Sequence, residues 1–275
     1  GLAWACLHYL PVIQSNGSTV DPAQADRVTR SSASAQEHGD AKLNPLEGTA
    51  AAAWPTGGAG ITLPTPRPVG EYSREVVRHA YAATRRYLVA AMLTDDVLYH
   101  GKVQPVLDGF PDSDQLAADY GDPHDDKAWS FIATRFRPGV YTPVGHTVKV
   151  RGWMKAVERN SELQVRYSYA AAYPMRSTRQ TDANPALVVI RREGELRFLP
   201  SASGSIVPWP GRTYVLSDHS VCGRHWPYPA YTPVWMDLRF HAGDDQNVGG
   251  KSIDISDPNQ SARRIHECFT NSGGL

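Results

Sequence analysis

Two short stretches near the C-terminus hold two of the three cysteines of this sequence, each with a histidine close by: Cys222-Gly223-Arg224-His225 and His266-Glu267-Cys268. Joined to each other, the two thiols form a disulfide that closes a long loop and contributes about 2 to 4 kcal/mol by restricting the unfolded chain. Deprotonated and apart, Cys222 and Cys268 with His225 and His266 supply the two thiolates and two imidazoles that tetrahedral zinc accepts, and His219 is a substitute ligand. C-x-x-H paired with H-x-C is not a common finger spacing, so the disulfide is the reading carried forward and zinc its alternative. No cofactor is called for.

The other polar clusters carry less. Asp119, Asp122, His124, Asp125 and Asp126 surround Pro123, but calcium-loop order, with Gly at the sixth position and Glu at the twelfth, is missing. A solvated loop that caps the next helix accounts for them, and Asp244 and Asp245 read the same way. Asp218-His219-Ser220 holds the residue types of a hydrolase triad, yet neighbours in sequence cannot point at one another as a triad requires. Phosphate-binding loops, dinucleotide fingerprints, H-E-x-x-H and G-x-S-x-G are all absent.

The elements that must position such residues occupy only part of the 275-residue chain. Residues 1–13 are apolar, from Leu2 through Trp4, Cys6 and Tyr9 to Ile13. They are too few to span a bilayer, which takes about 20, and read as the end of a membrane anchor or signal segment. A short apolar segment docking on the body is the alternative, and a lipidated Cys6 a variant. Residues 14–70 are rich in Ala, Ser, Gly and Pro, with Pro64, Pro66 and Pro68 favouring extended polyproline geometry, and read as a flexible linker with a stiff end. With 28 basic and 28 acidic residues there is no net field to attract nucleic acid.

Period three-to-four spacing begins at residue 72. Val76, Val77, Ala80, Tyr81, Thr84, Tyr87, Leu88, Ala91 and Met92 define one helix face over 72–92, with Ser73 as N-cap and Arg74, Arg78, Arg85 and Arg86 on a solvated face. Asp95 and Asp96 open a second helix that Gly101 and Pro105 shorten or break, and Trp129, Ile132, Ala133 and Phe136 predict a third over 125–136, with a strand as the alternative. The period then falls to two. Residues 146–158 and 161–173 read as strands joined by a tight turn at Arg159-Asn160, and 186–192 and 195–199 as a second pair split by Glu193-Gly194. From Ser201 the pattern loosens around Pro208-Trp209-Pro210-Gly211, which reads as an extension over 201–275, pinned by the disulfide. Helices followed by an antiparallel meander make an α+β domain over 71–200.

This order of elements resembles the NTF2-like (cystatin-like) superfamily, in which a long first helix packs into the concavity of a curved sheet. Members that follow a tether include exported actinobacterial proteins and, more remotely, periplasmic domains of the VirB8 type. The resemblance implies a cone whose mouth would hold any catalytic group. Asp95, Asp96, Tyr99 and His100 are its weak candidates, and Trp153, Tyr167 and Tyr169 would line a ligand pocket. The reading is an extracytoplasmic binding or assembly module, non-catalytic and membrane-tethered. Its alternatives are a small-molecule enzyme or carrier using the cone, and a secretion or conjugation subunit. Partners are a protein or small molecule and the membrane through the anchor, with self-association open and nucleic acid excluded.

Overall fold

The computed structural model of the protein describes residues 44–121, 129, 131–136, 138–139, 141–145, 147–178, 185–201 and 204–217. All of them fall in the unit Asn44–Leu275. Helix α1, Arg74–Leu93, starts where Ser73 accepts the Val76 N–H at 3.3 Å, and Glu75 adds negative charge to its first turn. Its buried residues are those named above for that face except Val76, which is half-buried, so the amphipathic period sets which side meets the core. α2, Asp95–His100, stops at Gly101, whose φ of 68° is cheap only for glycine. Pro105 then enters the first turn of α3, Gln104–Leu107. A further helix, α4, Ser113–Tyr120, lies where no helix was expected.

The segment expected as a helix over 125–136 is helical at Trp129 and leaves the helix after it. Trp129, Ile132, Ala133 and Phe136 are all within the core, with residues 131–132 in a turn and 133–136 in irregular chain. The Thr134 N–H donates to the Ala91 carbonyl at 2.8 Å and the Phe136 N–H to the Leu98 carbonyl at 2.7 Å. Those donors complete helix ends instead of building a helix of their own.

Five antiparallel strands follow: β1 (Tyr141–Pro143), β2 (Lys149–Arg159), β3 (Glu162–Ser177), β4 (Ala186–Pro200) and β5 (Ile206–Ser217). β3 pairs with both β1 and β2 on one side and with β4 on the other, and β5 closes the order beside β4. The β2–β3 turn is Asn160-Ser161, one residue later than expected, with φ of 52° and 59°, the signature of a two-residue type I′ turn. Glu193-Gly194 is not a turn. It lies inside one continuous strand, where the register with β5 shifts between Gly194 and Leu196. A Cβ at Gly194 would stand 2.8 Å from the Arg212 carbonyl, so glycine is required by the close approach of β5. The supposed loop around Pro208 and Pro210 is the strand β5 itself, at the sheet edge where missing N–H groups are tolerated.

One face of the sheet carries Leu163, Val165, Tyr167, Tyr169 and Ala171 against α1 and its neighbours. Tyrosine hydroxyls fasten the two layers. Tyr87 donates to the Ile132 carbonyl and Tyr173 to the Met92 carbonyl, each at 3.0 Å, while Tyr81 accepts the Ala156 N–H at 3.0 Å. The rings form edge-to-face, tilted and stacked contacts, with Phe110, Tyr87 and Tyr167 in one line and Tyr99, Phe136 and Tyr173 in another.

The opposite face has a second, small core. Leu46, Ala51 and Trp54 lie on Ala170 and Ala172, with Leu187 and Val189 at the margin. Composition marked residues through Gly70 as linker, whereas the chain from Asn44 to Ile61 is packed. Small side chains allow it: a Cβ at Gly60 would lie 2.3 Å from the Val150 carbonyl. The segment also pairs with the edge of β2, through Gly57 N–H to the Val148 carbonyl at 2.7 Å and Val150 N–H to the Pro55 carbonyl at 2.9 Å. Arg85, expected on the solvated helix face, donates to the Ile61 and Gly58 carbonyls at 3.1 and 3.0 Å and ties α1 to the same segment.

Two outcomes follow from this packing. Trp54→Ala is expected to cost about 3 to 5 kcal/mol, read as a lower urea midpoint at unchanged slope, where a linker residue would cost nothing. Burial raises the Tyr169 hydroxyl to about 12 and pushes Tyr99, Tyr120 and Tyr167 up as well. Their folded-state values exceed the unfolded one, so their contribution is full below about pH 10 and is lost as pH rises through 12. Alkaline titration should show phenolate absorbance and loss of helical circular dichroism rising together; phenolate formation with the fold intact would contradict this.

Candidate functional site

β-strand alternation decides which residues share a surface. In the paired register Trp153, Ser168, Glu193 and Tyr214 stand side by side across four strands. The next row is Lys155, Arg166 and Glu195, and the one after it Val157, Gln164, Arg197 and Trp209. These rows lie on the face opposite α1, beyond the part covered by Trp54. Apart from Lys155, Val157 and Trp209, their residues line a half-open groove of about 720 Å³. Trp153, 45% exposed, forms one wall from β2, and Arg212 and Tyr214 form the other from β5.

The floor is held by fixed polar contacts. Arg197 donates two parallel bonds to Glu162, at 2.8 and 2.6 Å, a fork geometry that fixes both side chains. These bonds hold the Glu162 carboxyl below the usual carboxylate range. Ser168 donates to Glu193 at 2.8 Å and accepts from the buried Arg191 guanidinium at 2.6 Å. Tyr167, buried from the other side, reaches the floor next to Gly194 and shares a 3.2 Å hydrogen bond with Thr213. The shift in register opposite Glu195 places Gly211 and Arg212 together there, and so turns Arg212 over the groove.

The expected site residues do not converge. Trp153 opposes Ser168, so it faces away from the core that encloses Tyr167 and Tyr169; only Trp153 and Tyr167 reach the groove. Asp96 pairs with Lys102 at 3.0 Å, and His100 is exposed at the end of α2. Tyr99 stacks on Phe136 at 5.5 Å, its hydroxyl raised by burial and then by the charge of Asp95. Asp95 and Tyr99 border a recess of about 80 Å³, well below the several hundred Å³ of ligand pockets. Arg192 is fully buried on the inner face and donates to the Phe131 carbonyl at 2.7 Å. Cys222, Cys268, His225, His266 and His219 lie outside the described residues, as do His124, Asp125, Asp126 and residues 1–43. Among the described residues no cluster of three or more His, Cys, Asp or Glu could hold a metal, and no helix is long and apolar enough to cross a membrane.

A second depression, of about 670 Å³, runs between α1 and the β4–β5 end, with Val76, Ala83, Phe198 and Ile206 along it. At its rim Glu75 accepts hydrogen bonds from Arg78 and His79, and the Arg78 bond first, then that of His79, brings its carboxyl down to about 2. All its charged groups belong to the exposed side of one helix.

The groove residues other than Trp153 and Tyr167 were missed as a site. Gln164, Arg166 and Ser168 fall within the segment 161–173 expected as a strand, but the wall supplied by β5 lies where the sequence pattern loosens.

Arg197→Gln tests the floor. The Glu162 carboxyl has its value lowered in the folded state, so the pair stabilises above the unfolded carboxylate range and ceases to do so as pH falls through the folded value. The stability gap between native protein and Arg197→Gln should therefore be full at neutral pH and close in acid; a gap independent of pH would contradict the pairing. Comparison with protein-family models, with curated proteins and with solved structures found no match to this chain.

Proposed function

We propose that this protein is a non-catalytic binding or assembly module of NTF2-like type, displayed outside the cytoplasmic membrane and tethered through its apolar N-terminal residues. The observation that carries the binding reading is the contrast between the two sheet faces. The face that would form a catalytic cone is packed at its centre with Tyr87, Tyr167, Tyr169 and Tyr173; the recess at Asp95 and Tyr99 holds about 80 Å³, and the depression beside α1 carries only the surface charges of that helix. The other face keeps an open groove with a half-exposed tryptophan and pre-ordered polar partners. A binding surface needs fixed, accessible groups, whereas general acid–base chemistry needs a titratable group beside a cavity that admits substrate. The location rests on sequence: the apolar stretch 2–13, the Ala/Ser/Gly/Pro run after it, and the lone Cys222 and Cys268 pair.

Complementation of a deletion strain separates the groove from the cone. Trp153→Ala should reproduce the deletion phenotype, and the double variant Asp95→Asn, Tyr99→Phe should complement it; the opposite pattern would move function to the cone. Protease added to intact cells should release the body of the chain, and a chain cut only after lysis would refute the exported location.

A further inference from the structure

We infer that the groove takes a neutral, hydroxyl-rich ligand, a short stretch of oligosaccharide lying across the strands with a sugar ring stacked on Trp153. The inference rests on the groove being the binding surface and adds the class of its ligand.

Three features choose this class. The first is the distribution of charge. Arg159, Arg166, Arg197 and Arg212 are interleaved with Glu162, Glu193 and Glu195, so donors and acceptors alternate and neither sign dominates. A phosphate, a nucleic acid strand or a polyanion calls for a single-sign field, and a cationic ligand for the reverse. Hydroxyl groups donate and accept at once, so they match a bed of mixed sign.

The second is the aromatic geometry. Trp153 and Tyr214 stand at the two ends of one cross-strand row with Ser168 and Glu193 between them. Three interstrand steps separate them by about 14 Å, a span suited to several linked rings, and not to a single small molecule. An exposed indole offers an apolar face to the C–H side of a sugar ring while the row behind it meets the hydroxyl edge.

The third is what the groove denies a peptide. An extended peptide gains most from an open sheet edge. Here the β2 edge is taken by Pro55, Gly57 and the Tyr81 hydroxyl, and the β5 edge carries Pro208 and Pro210. The accessible surface is the sheet face, with side chains already oriented: Glu162 by Arg197, and Glu193 by Ser168. Such ordering before binding lowers its entropic cost. A half-open groove of about 720 Å³ also leaves both ends free for a longer polymer to continue.

The test uses the full chain and calorimetric titration with tetrasaccharides of glucose, mannose, galactose and N-acetylglucosamine. A heparin tetrasaccharide and an acidic peptide serve as charged probes. At least one neutral tetrasaccharide should bind saturably, with affinity unchanged by added salt. Trp153→Ala should weaken it by about tenfold or more, Trp153→Tyr should retain most of it, and Arg166→Ala, at an exposed position, should also weaken it. Unchanged circular dichroism in each variant keeps loss of binding distinct from loss of fold. Binding by a charged probe alone, lost in Trp153→Ala and weakened by salt, would overturn the ligand class while sparing the groove. No binding by any neutral probe overturns the inference, and the complementation result for Trp153→Ala then decides separately whether the groove is the functional surface.

Discussion

A buried tyrosine is stable only if its hydroxyl finds a partner, and in this protein that requirement fixes how the helices meet the sheet. Tyr87 and Tyr173 reach the Ile132 and Met92 carbonyls, and Tyr81 takes the N–H of Ala156. Met92 belongs to the last turn of α1, where carbonyls lack helical partners, so one contact both completes the helix end and positions it over β3. Ala156 belongs to an edge strand, whose outward N–H would otherwise invite another chain. The same side chains thus supply apolar area, settle unpaired backbone groups and set the distance between layers.

That arrangement fills the centre of the inner face and leaves the open groove on the outer one. The outer face is itself divided. Where β3 carries Ala170 and Ala172, the surface is flat enough for Leu46, Ala51 and Trp54 to cover it. Where it carries Ser168, Arg166 and Gln164, the row is polar and the groove stays open. Arg191, buried at the boundary and bonded to Ser168, links the two halves. A change of side-chain size over a few residues of one strand therefore separates a covering contact from an open groove.

Much of the first half was legible because its periods are dense. The face of α1 and the alternation in β2 and β3 each repeat long enough to outweigh local exceptions. The failures share a cause: the same residue types serve two purposes. Glu193-Gly194 has the composition of a turn, but the glycine is there because β5 comes within a Cβ's reach. Pro208 and Pro210 look like loop residues, and an edge position makes them tolerable in a strand. Residues 44–61 look like linker because their contacts depend on small side chains and backbone pairing, which leave no hydrophobic period. The groove was invisible for a related reason: Trp153 and Tyr214 lie far apart in sequence, and only the register through β3 and β4 brings them into one row.

The hairpin turn at Asn160-Ser161 governs more than the reversal of the chain. Side chains alternate strictly along a strand, so the parity of that turn determines which set of β2 residues looks outward. Adding or deleting one residue there would exchange Trp153 for its neighbour Met154, sending the indole toward α1 and a core methionine into solvent. The identity of the residues that face the groove is thus encoded in the length of a two-residue loop at its end.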